Sequence, residues 1–503
     1  MSILGLDIGT TGCKAIVINN EGRILSRAIG QYLMIHTQAG WAELDPTDVW
    51  KEIKSLFRQV SAEVSNDPIQ AISVSAMGDS ITPCDQNMHP ISNSILAFDT
   101  RNIQEAKFFE NTLGREWIFQ KTGQPVHPTY SITKILWLKN NKPQIFKNAG
   151  YFLCFEDLIT GLLCGEAVFS YSSAARTMAF DINDYSWNED ILEIASIDAK
   201  KLAKPMASGT VVGRIQKDLA KEFHFSENVK IIIGGHDQPC GALGCDLFQD
   251  GVAMDSTGTV EVLLVTNDAP ILSKEMLQSS ICFWPHVKKG EYCACGQILT
   301  AGAAFQWFRE VLGEKDAILA AEQNRDTYDV ITSKFQEMPS SLLFVPHLSG
   351  SGTPEFNPNA KAALYGATLN TNKYDIAKSV LEGISFELKI NTDLLEDAGI
   401  RIDTLRALGG AANSKTWMQI KADITGKMIE ACQMKDQCPL GAAILAAYGI
   451  GMINDLSETT DFVKREYKVY EPEEKNQSVY RKKFYDYLKF RQKIFGLYEE
   501  IGA

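Results

Sequence analysis

The first 75 residues alternate between short apolar runs and turns. Three of the runs lie at residues 3–8, 14–18 and 24–28, and turn-forming residues rich in glycine, threonine or asparagine separate them. Short apolar runs joined by tight turns are typical of an antiparallel meander. The pattern therefore predicts that the fold begins with three antiparallel strands.

A change of period follows the meander. Asp45 and Pro46 are the residue types preferred at the N-cap and first position of a helix. Apolar side chains then recur at helical spacing through residues 49–64, and residues 69–75 form a further apolar run. We therefore expect the order β-β-β-α-β. Further along, the pattern predicts a strand running into a helix over 297–308, a long helix over 375–395, a strand over 404–408 and a helix of small residues over 441–451.

One segment of the meander occurs again about half a chain later. Residues 7–19 read DIGTTGCKAIVIN, and residues 255–267 read DSTGTVEVLLVTN. Such a repeat indicates a duplicated domain, and 503 residues are too many for one ordinary core. We predict an α/β protein with two domains, residues 1–247 and 248–503, because the composition changes near residues 245–254.

The repeated turns have the composition of a phosphate cradle. Backbone N–H groups of a turn rich in Gly and Thr can converge on an anion, and the hydroxyl groups add donors. Each copy begins with an aspartate, Asp7 or Asp255, and a carboxylate beside a phosphate is a natural ligand for Mg²⁺. The Walker pattern GxxxxGK[ST] is absent from the sequence. Each turn taken alone could equally be a plain structural turn.

A lone carboxylate stands at the end of another buried run. The apolar residues 229–233 lead into Gly-Gly-His-Asp-Gln-Pro-Cys-Gly at 234–241, which contains Asp237. A carboxylate at the carboxyl end of a buried strand points into a cleft, where it can accept a proton from a hydroxyl group. The alternative is that Asp237 caps the helix that begins near Pro239.

Composition narrows the class of partner. The formal net charge is −13 with a pI of about 5.2, whereas binding to a nucleic-acid backbone needs a basic surface. The N-terminus lacks the pattern of a signal peptide, and no run is long enough to cross a membrane. Eleven cysteines lie at irregular spacing, which favours reduced thiols. We expect a cytoplasmic protein with neither a nucleic-acid nor a membrane partner.

An ordered set of motifs resembles the FGGY family of carbohydrate kinases. The resemblance runs from about residue 3 to about residue 450 and rests on many blocks in order, among them GLDIGTT at 5–11, GWAELDP at 40–46, GHDQ at 235–238, STGT at 256–259 and GGA at 409–411. It implies an actin-like ATPase fold of two ribonuclease-H-like domains, with ATP and a sugar in the cleft between them. It further implies that Asp237 is the general base.

Other roles carry over from the resemblance one position at a time. It implies that Thr10 and Thr11 approach the transferred phosphate and that Asp7 lies near Mg²⁺. His236 is expected to be a neighbour whose ring is satisfied by its surroundings. The nucleotide positions are Gly258, Thr259, Gly302, Gln306, Gly410 and Ala411, and the positions that face the sugar are Gly78, Asp79, Asp99 and Gln238.

The sequence departs from its relatives at the sugar. Gly78 stands where glycerol kinases place an arginine, and Asp79 stands where xylulose kinases place a histidine. A buried negative charge at Asp79 would repel a carboxylate on the substrate. We therefore expect a neutral ketose or polyol that donates a hydrogen bond to Asp79. Open alternatives are D-xylulose or gluconate as substrate, and a non-catalytic actin-like nucleotide-binding protein. Relatives are often oligomers, so a homodimer is a further expectation.

Overall fold

The computed structural model describes residues 1–247 and 249–501, and its first sheet opens with the expected meander. Asp45 caps the first helix with its side chain, and Pro46 is that helix's first residue. The order β-β-β-α-β is therefore confirmed. The strands of this sheet are β1 (Ser2–Ile8), β2 (Gly12–Asn19), β3 (Ile24–Gln31), β5 (Ile69–Ala76), β13 (Val211–Arg214) and β14 (Lys230–His236).

The second sheet repeats the topology of the first. Its strands are β15 (Val252–Thr257), β16 (Glu261–Asn267), β17 (Cys282–Pro285), β18 (Tyr292–Ile298), β21 (Thr404–Leu408), β22 (Met428–Cys432) and β23 (Tyr467–Tyr470). The first sheet has the order β3-β2-β1-β5-β14-β13, and the second has β18-β16-β15-β21-β22-β23 with β17 added beside β18. In both, the third and fourth strands and the fourth and fifth are parallel, and the other pairs are antiparallel. The duplication read from the sequence thus extends to six strands.

Helices and short strand pairs surround the two sheets. The short pairs are β4 (Glu43–Leu44) with β7 (Ser94–Ile95), β6 (Thr82–Cys84) with β8 (Tyr151–Leu153), β9 (Val168–Ser170) with β12 (Lys204–Met206), β10 (Phe180–Asp181) with β11 (Ser186–Trp187), and β19 (Leu343–Val345) with β20 (Ala363–Tyr365). In the described part of the chain, 3-10 turns lie at Ala175–Thr177, Ala199–Lys201, Gly410–Asn413 and Leu456–Glu458.

The helices before the chain enters the second sheet are α1 (Pro46–Glu63), α2 (Ile103–Leu113), α3 (Arg115–Thr122), α4 (Ser131–Asn141), α5 (Pro143–Asn148), α6 (Phe155–Cys164), α7 (Tyr171–Ala174), α8 (Glu189–Ala195), α9 (Lys217–Phe223) and α10 (Asp237–Gly244). Those after it are α11 (Lys274–Gln278), α12 (Gly302–Leu312), α13 (Glu314–Glu322), α14 (Thr327–Thr332), α15 (Lys373–Asp397), α16 (Lys415–Thr425), α17 (Gln437–Gly449), α18 (Thr459–Phe462) and α19 (Glu474–Ile501). The helices expected at 375–395 and 441–451 are thus present as α15 and α17 and begin two and four residues earlier. No helix within the described ranges is long and apolar enough to cross a membrane.

Helix α17 belongs spatially to the first sheet, although it lies late in the sequence. Its apolar residues share a buried cluster with Ile3 and Ile16 of the meander and Ile232 of β14. A Cβ atom added at Gly441 would lie 1.8 Å from the carbonyl oxygen of Cys240, so this helix and α10 touch backbone to backbone. The predicted division at 247/248 separates the two sheets, whereas α17, which follows it in the sequence, packs on the first sheet. Phe248, beside that division, lies outside the described residues.

The segment at 244–247, which joins the two sheets, is densely hydrogen-bonded to residues that follow it in the sequence. Asp246 accepts hydrogen bonds from Thr459 and Thr460, and Arg406 donates to the carbonyl oxygens of Cys245 and Asp246. Arg465 donates to the carbonyl oxygen of Gly244. We call these contacts the connector bundle: Arg406 of β21 and residues 459–465, which lead into β23, hold the linker at 244–247.

Candidate active site

Asp237 stands where strand β14 ends and helix α10 begins. The N-cap of this helix is His236, whose Nδ1 accepts a hydrogen bond from the N–H group of Gln238 at 3.2 Å. The capping role considered for Asp237 is therefore filled by its neighbour. Asp237 Oδ1 is enclosed and lies 3.1 Å from His236 Nδ1, but it accepts no hydrogen bond from the described residues. A carboxylate oxygen in that condition is available for a ligand.

Three predicted residues meet at one edge of the first sheet. Asp7 lies near the end of β1, Asp79 lies just beyond β5, and Asp237 follows β14. These strands are mutually parallel, and the carboxyl ends of adjacent parallel strands meet at one edge. Thr10 and Thr11 occupy the turn directly after β1, beside Asp7. The edge thus gathers three carboxyl groups and the first predicted phosphate turn.

The carboxyl groups of this edge have raised pKa values. Burial raises the pKa of Asp237 to about 7, and the negative charges of Asp7 and Asp79 add to the rise. Burial raises the pKa of Asp7 to about 6, against a hydrogen bond from Ser75 Oγ to Asp7 Oδ1 at 2.8 Å. A carboxyl group with a pKa near neutrality is a suitable general base, because it holds a transferred proton well and is still about half ionised at neutral pH.

Asp79 is paired with an arginine that sequence reasoning missed. Arg176 Nη2 donates to Asp79 Oδ2 at 3.1 Å, and both residues are only 7% exposed. Asp79 Oδ1 and Arg176 Nε have no partner among the described residues. Burial raises the pKa of Asp79, and the charge of Arg176 opposes the rise. The premise that Asp79 presents an uncompensated negative charge is therefore wrong, although it keeps a free acceptor atom.

Arg176 is held in place by residues from both halves of the chain. It donates to Gln124 Oε1 at 2.9 Å, and its guanidinium carbon lies 5.1 Å from the ring centroids of Tyr130 and Trp284. Trp284 belongs to β17 of the second sheet. No short motif could have identified this cluster, because its members lie between positions 124 and 284 in the sequence.

The hydrogen-bond partners of Asp99 differ from those of the other predicted sugar residues. Its two carboxylate oxygens accept hydrogen bonds from the side chain of Arg101 and from the N–H group of Ala42, and the residue is 1% exposed. Arg101 in turn stacks on Trp41 at 3.7 Å. The structure therefore gives Asp99 the role of fixing the loop around Trp41, and its contact with sugar stays a prediction.

The predicted nucleotide residues line one cavity of about 530 Å³ in the second domain. The six predicted residues are joined by side chains that sequence reasoning missed, notably Tyr328 and Trp417. Aromatic rings beside glycine-rich turns can hold a purine base and its phosphates. The lining residues are Thr257, Gly258, Thr259, Gly302, Ala303, Phe305, Gln306, Asp326, Tyr328, Asp329, Gly410, Ala411, Asn413, Ser414 and Trp417.

Two glycines let the second phosphate turn pack against a helix. The N–H group of Gly302, the first residue of α12, donates to the carbonyl oxygen of Gly258 at 2.9 Å. A Cβ atom at Gly302 would lie 2.3 Å from that oxygen. The turn and the start of the helix are thus one rigid unit, which explains why Gly302 matters although it is not in the turn.

The repeated aspartates have diverged in environment. Asp255 pairs with Lys421, whose Nζ also contacts Glu261 at 3.1 Å, and all three side chains are fully buried. Asp7 forms no ion pair among the described residues, although the charge of Lys14 opposes the rise of its pKa, and only its Oδ1 accepts a hydrogen bond there. The aspartate of the first repeat is therefore less engaged by protein groups than the aspartate of the second.

Comparisons with known proteins agree with this arrangement. The family model for the N-terminal domain of the FGGY family of carbohydrate kinases matches residues 2–244, and the model for its C-terminal domain matches residues 253–450. The chain is 27% identical to a xylulose kinase of Bacillus subtilis, with 96% of this chain and 95% of that protein covered. It is 30% identical to a glycerol kinase of Thermotoga maritima, with 91% of each covered.

A solved structure is equally similar. The crystal structure of gluconate kinase from Lactobacillus acidophilus superposes with a TM-score of 0.91 at 26% identity, covering 100% of this chain and 99% of that one. The expected fold, an actin-like α/β architecture of two duplicated domains, is confirmed. Relatives named for three different substrates are all between 26% and 30% identical to this chain, so overall similarity does not select the sugar.

Proposed function

The chain belongs to the FGGY family of carbohydrate kinases, and on that premise we propose that Asp237 accepts the proton of a sugar hydroxyl that attacks the γ-phosphate of ATP. The observation that carries the proposal is the enclosed, unpartnered Asp237 Oδ1 beside the Asp79–Arg176 pair. The enzyme uses ATP and transfers a phosphoryl group to an alcohol, as its family does. What is proposed is how its own residues do so.

The order of events follows from the positions of the groups. Asp79 and Gln238 hold the sugar so that a terminal hydroxyl lies against Asp237, and Gln238 keeps an enclosed Oε1 without a partner for this purpose. As the oxygen of that hydroxyl forms its bond to phosphorus, its proton moves to Asp237, and the bond to the ADP oxygen breaks. Phosphoryl transfer depends mostly on position and charge, so one base and two phosphate turns suffice.

Asp7 is the residue proposed to hold Mg²⁺. Within the described residues no group of three or more His, Cys, Asp or Glu side chains could enclose a metal ion. Mg²⁺ does not need such a cage, because it commonly binds one or two carboxylates together with phosphate oxygens and water. The partly buried Asp7, with Oδ2 free, fits that mode. The ion would neutralise charge on the phosphates, while Thr10, Thr11, Gly258 and Thr259 donate to their oxygens.

The proposed acceptor is a neutral ketose or polyol. Asp79 Oδ1 requires a donor, and a sugar hydroxyl provides one whereas a carboxylate does not. Because Arg176 balances the charge of Asp79, this argument rests on hydrogen bonding rather than on repulsion. D-xylulose meets the requirement, and gluconate meets it only through its hydroxyl groups.

The test is ADP release from Mg-ATP across ketoses, polyols, aldoses and sugar acids. We expect a neutral acceptor to exceed gluconate by about 10²-fold or more in kcat/KM, since a site built for a hydroxyl strongly rejects a group that cannot pair with it. Asp79→Ala should raise the KM for that acceptor, and Asp79→Asn, which keeps an acceptor oxygen, should raise it less. A preference for gluconate, or unchanged KM in Asp79→Ala, would contradict the assignment of Asp79.

Two further properties remain proposals. We expect the enzyme to act in the cytoplasm, because its cysteines are unpaired thiols, nine of them buried, and such thiols persist in a reducing compartment. We also expect a homodimer, which light scattering of the purified protein would test directly.

A further inference from the structure

The ring of His236 occupies the space that a side chain at position 78 would fill. A Cβ atom added at Gly78 would lie 2.3 Å from Cδ2 and 2.6 Å from Nε2 of His236. The ring is also 6.1 Å from that of Trp284, edge to face. The His236 ring can therefore occupy its position only because residue 78 has no side chain. The two residues lie at the ends of the neighbouring strands β5 and β14.

Only one nitrogen of this ring is satisfied. Nδ1 accepts the N–H group of Gln238 at 3.2 Å and so caps helix α10. Burial and the nearby charge of Arg176 hold the pKa of His236 well below its usual range, so the ring is neutral. Nδ1 also lies 3.1 Å from Asp237 Oδ1, but this contact lacks the geometry of a hydrogen bond, so we assign Nδ1 as an acceptor and the proton of the neutral ring to Nε2. His236 Nε2 has no hydrogen-bond partner among the described residues, although the side chain is only 8% exposed.

An almost buried donor without a partner is costly unless a ligand completes it. Gly78 and Asp79 are adjacent in sequence, so the donor at Nε2 and the free acceptor at Asp79 Oδ1 border the same part of the site. A donor and an acceptor placed together can bind two oxygens of one sugar, of which one accepts and the other donates. The expectation that His236 is merely a satisfied neighbour therefore holds for one nitrogen only.

We propose that His236 is a substrate-binding residue whose Nε2–H group donates to a sugar oxygen, and that Gly78 determines specificity by leaving room for its ring. The inference rests on the proposed function and adds to it two residues, Gly78 and His236, that recognise the sugar substrate. A side chain at position 78 would displace the imidazole and remove the donor. Substrate choice in this enzyme is thus set jointly by positions 78 and 236.

The chain offers a pair of substitutions that separate the two nitrogens. His236→Asn keeps an acceptor near Nδ1, so helix α10 stays capped, but it has no group at Nε2. His236→Gln places an amide N–H near Nε2 but withdraws the cap. Steady-state kinetics with the best acceptor of the panel, together with ATP binding and thermal melts, distinguishes them. His89→Asn is the matched control, because the His89 side chain is 68% exposed and contacts Asp85 rather than a site residue.

For His236→Asn we expect a KM for sugar raised about tenfold, the scale of one neutral hydrogen bond with its unpaired partner. ATP affinity and melting temperature should stay at the wild-type values. His236→Gln should keep a lower KM for sugar than His236→Asn while melting at a lower temperature. Unchanged KM in His236→Asn would overturn the proposal. So would equal losses of sugar affinity, ATP affinity and melting temperature, since these indicate a structural role alone.

A double-mutant cycle tests the link to Gly78. Gly78→Ala should raise the KM for sugar in the wild type but add little in the His236→Asn background, because the donor is already gone. Additive effects would overturn the joint assignment. Failure of the proposed function is a separate result, recognised by wild-type enzyme that binds ATP and releases no ADP with any sugar of the panel.

Discussion

The raised pKa of Asp237 has opposite effects on catalysis and on stability. Its folded pKa of about 7 exceeds the ordinary value of 3.8, so the native state binds this proton more tightly than the unfolded chain does. The stabilising contribution of the group is therefore complete below about pH 4 and is lost as the pH rises through about 7. At neutral pH, catalysis therefore needs the ionised form of Asp237, whereas the folded state is more stable with the protonated form.

Replacing that base separates chemistry from binding. Asp237→Asn should lower kcat by about 10³-fold or more, the scale of a positioned base together with correct orientation. ATP binding should persist, because the nucleotide cavity is lined by residues of the second domain. The measurements are kcat and the dissociation constant for ATP, with the exposed Asp184→Asn as control. Turnover near the wild-type rate would remove Asp237 from the role of base.

The same carboxyl group predicts a pH dependence. A general base must be ionised, so kcat/KM for sugar should fall about tenfold per pH unit below a pKa near 7 and level off above it. The value of kcat/KM rises with pH because the protonated form of Asp237 is inactive. The profile is measured between pH 5 and 9 (about the range in which such a fold is stable). A plateau that extends down to pH 5 would show that Asp237 titrates lower or is not the base.

At the scale of elements, helix α12 and the turn at Gly258 act as one unit. Gly302→Ala would place a methyl group against the carbonyl oxygen of Gly258, and either the turn or the helix must move. We expect ATP affinity to fall about tenfold, with the sugar KM much less affected, as two misplaced donors would cost about 1–2 kcal/mol. Isothermal titration with a non-hydrolysable ATP analogue measures the effect.

The matched control for that substitution is Gly496→Ala. Gly496 lies within helix α19, and a Cβ atom there would meet nothing within 4 Å. This change should leave ATP affinity unchanged and stabilise the helix slightly. Equal ATP affinity in Gly302→Ala and Gly496→Ala would mean that the turn adapts without loss.

Elements differ in how far the sequence alone determined them. The meander and helix α1 follow from local rules, since Asp45 and Pro46 signal a helix start wherever the chain lies in space. Helix α17 is apolar on all sides, which predicts burial but not the sheet against which it packs. Arg176 and His236 were missed as site residues for a similar reason: their roles depend on Asp79 and Gly78, which lie about 100 and 160 positions away.

At the scale of the whole molecule, the first domain is incomplete without a late segment of the chain. Residues 1–247 alone would expose the apolar surface around Ile3, Ile16 and Ile232 that α17 covers. We expect this fragment to aggregate or to melt without cooperativity, as large exposed apolar patches promote association. Joining residues 433–467 to it through a flexible Gly/Ser linker should restore a cooperative melt. A cooperative melt of 1–247 by itself would contradict the dependence on α17.

The connector bundle also constrains how the two halves can move. Linker residues 244–247 contact the two later segments that join the sheets: Gln437 at the start of α17, whose backbone lies against Gly244, and Thr459 and Arg465 before β23. Segments tied together at one place act as a hinge: each domain stays rigid, and a small rotation at the hinge produces a larger displacement at the far ends of the cleft. A sugar bound in the cleft would then limit the angle of closure, so the extent of closure would depend on the size of the sugar.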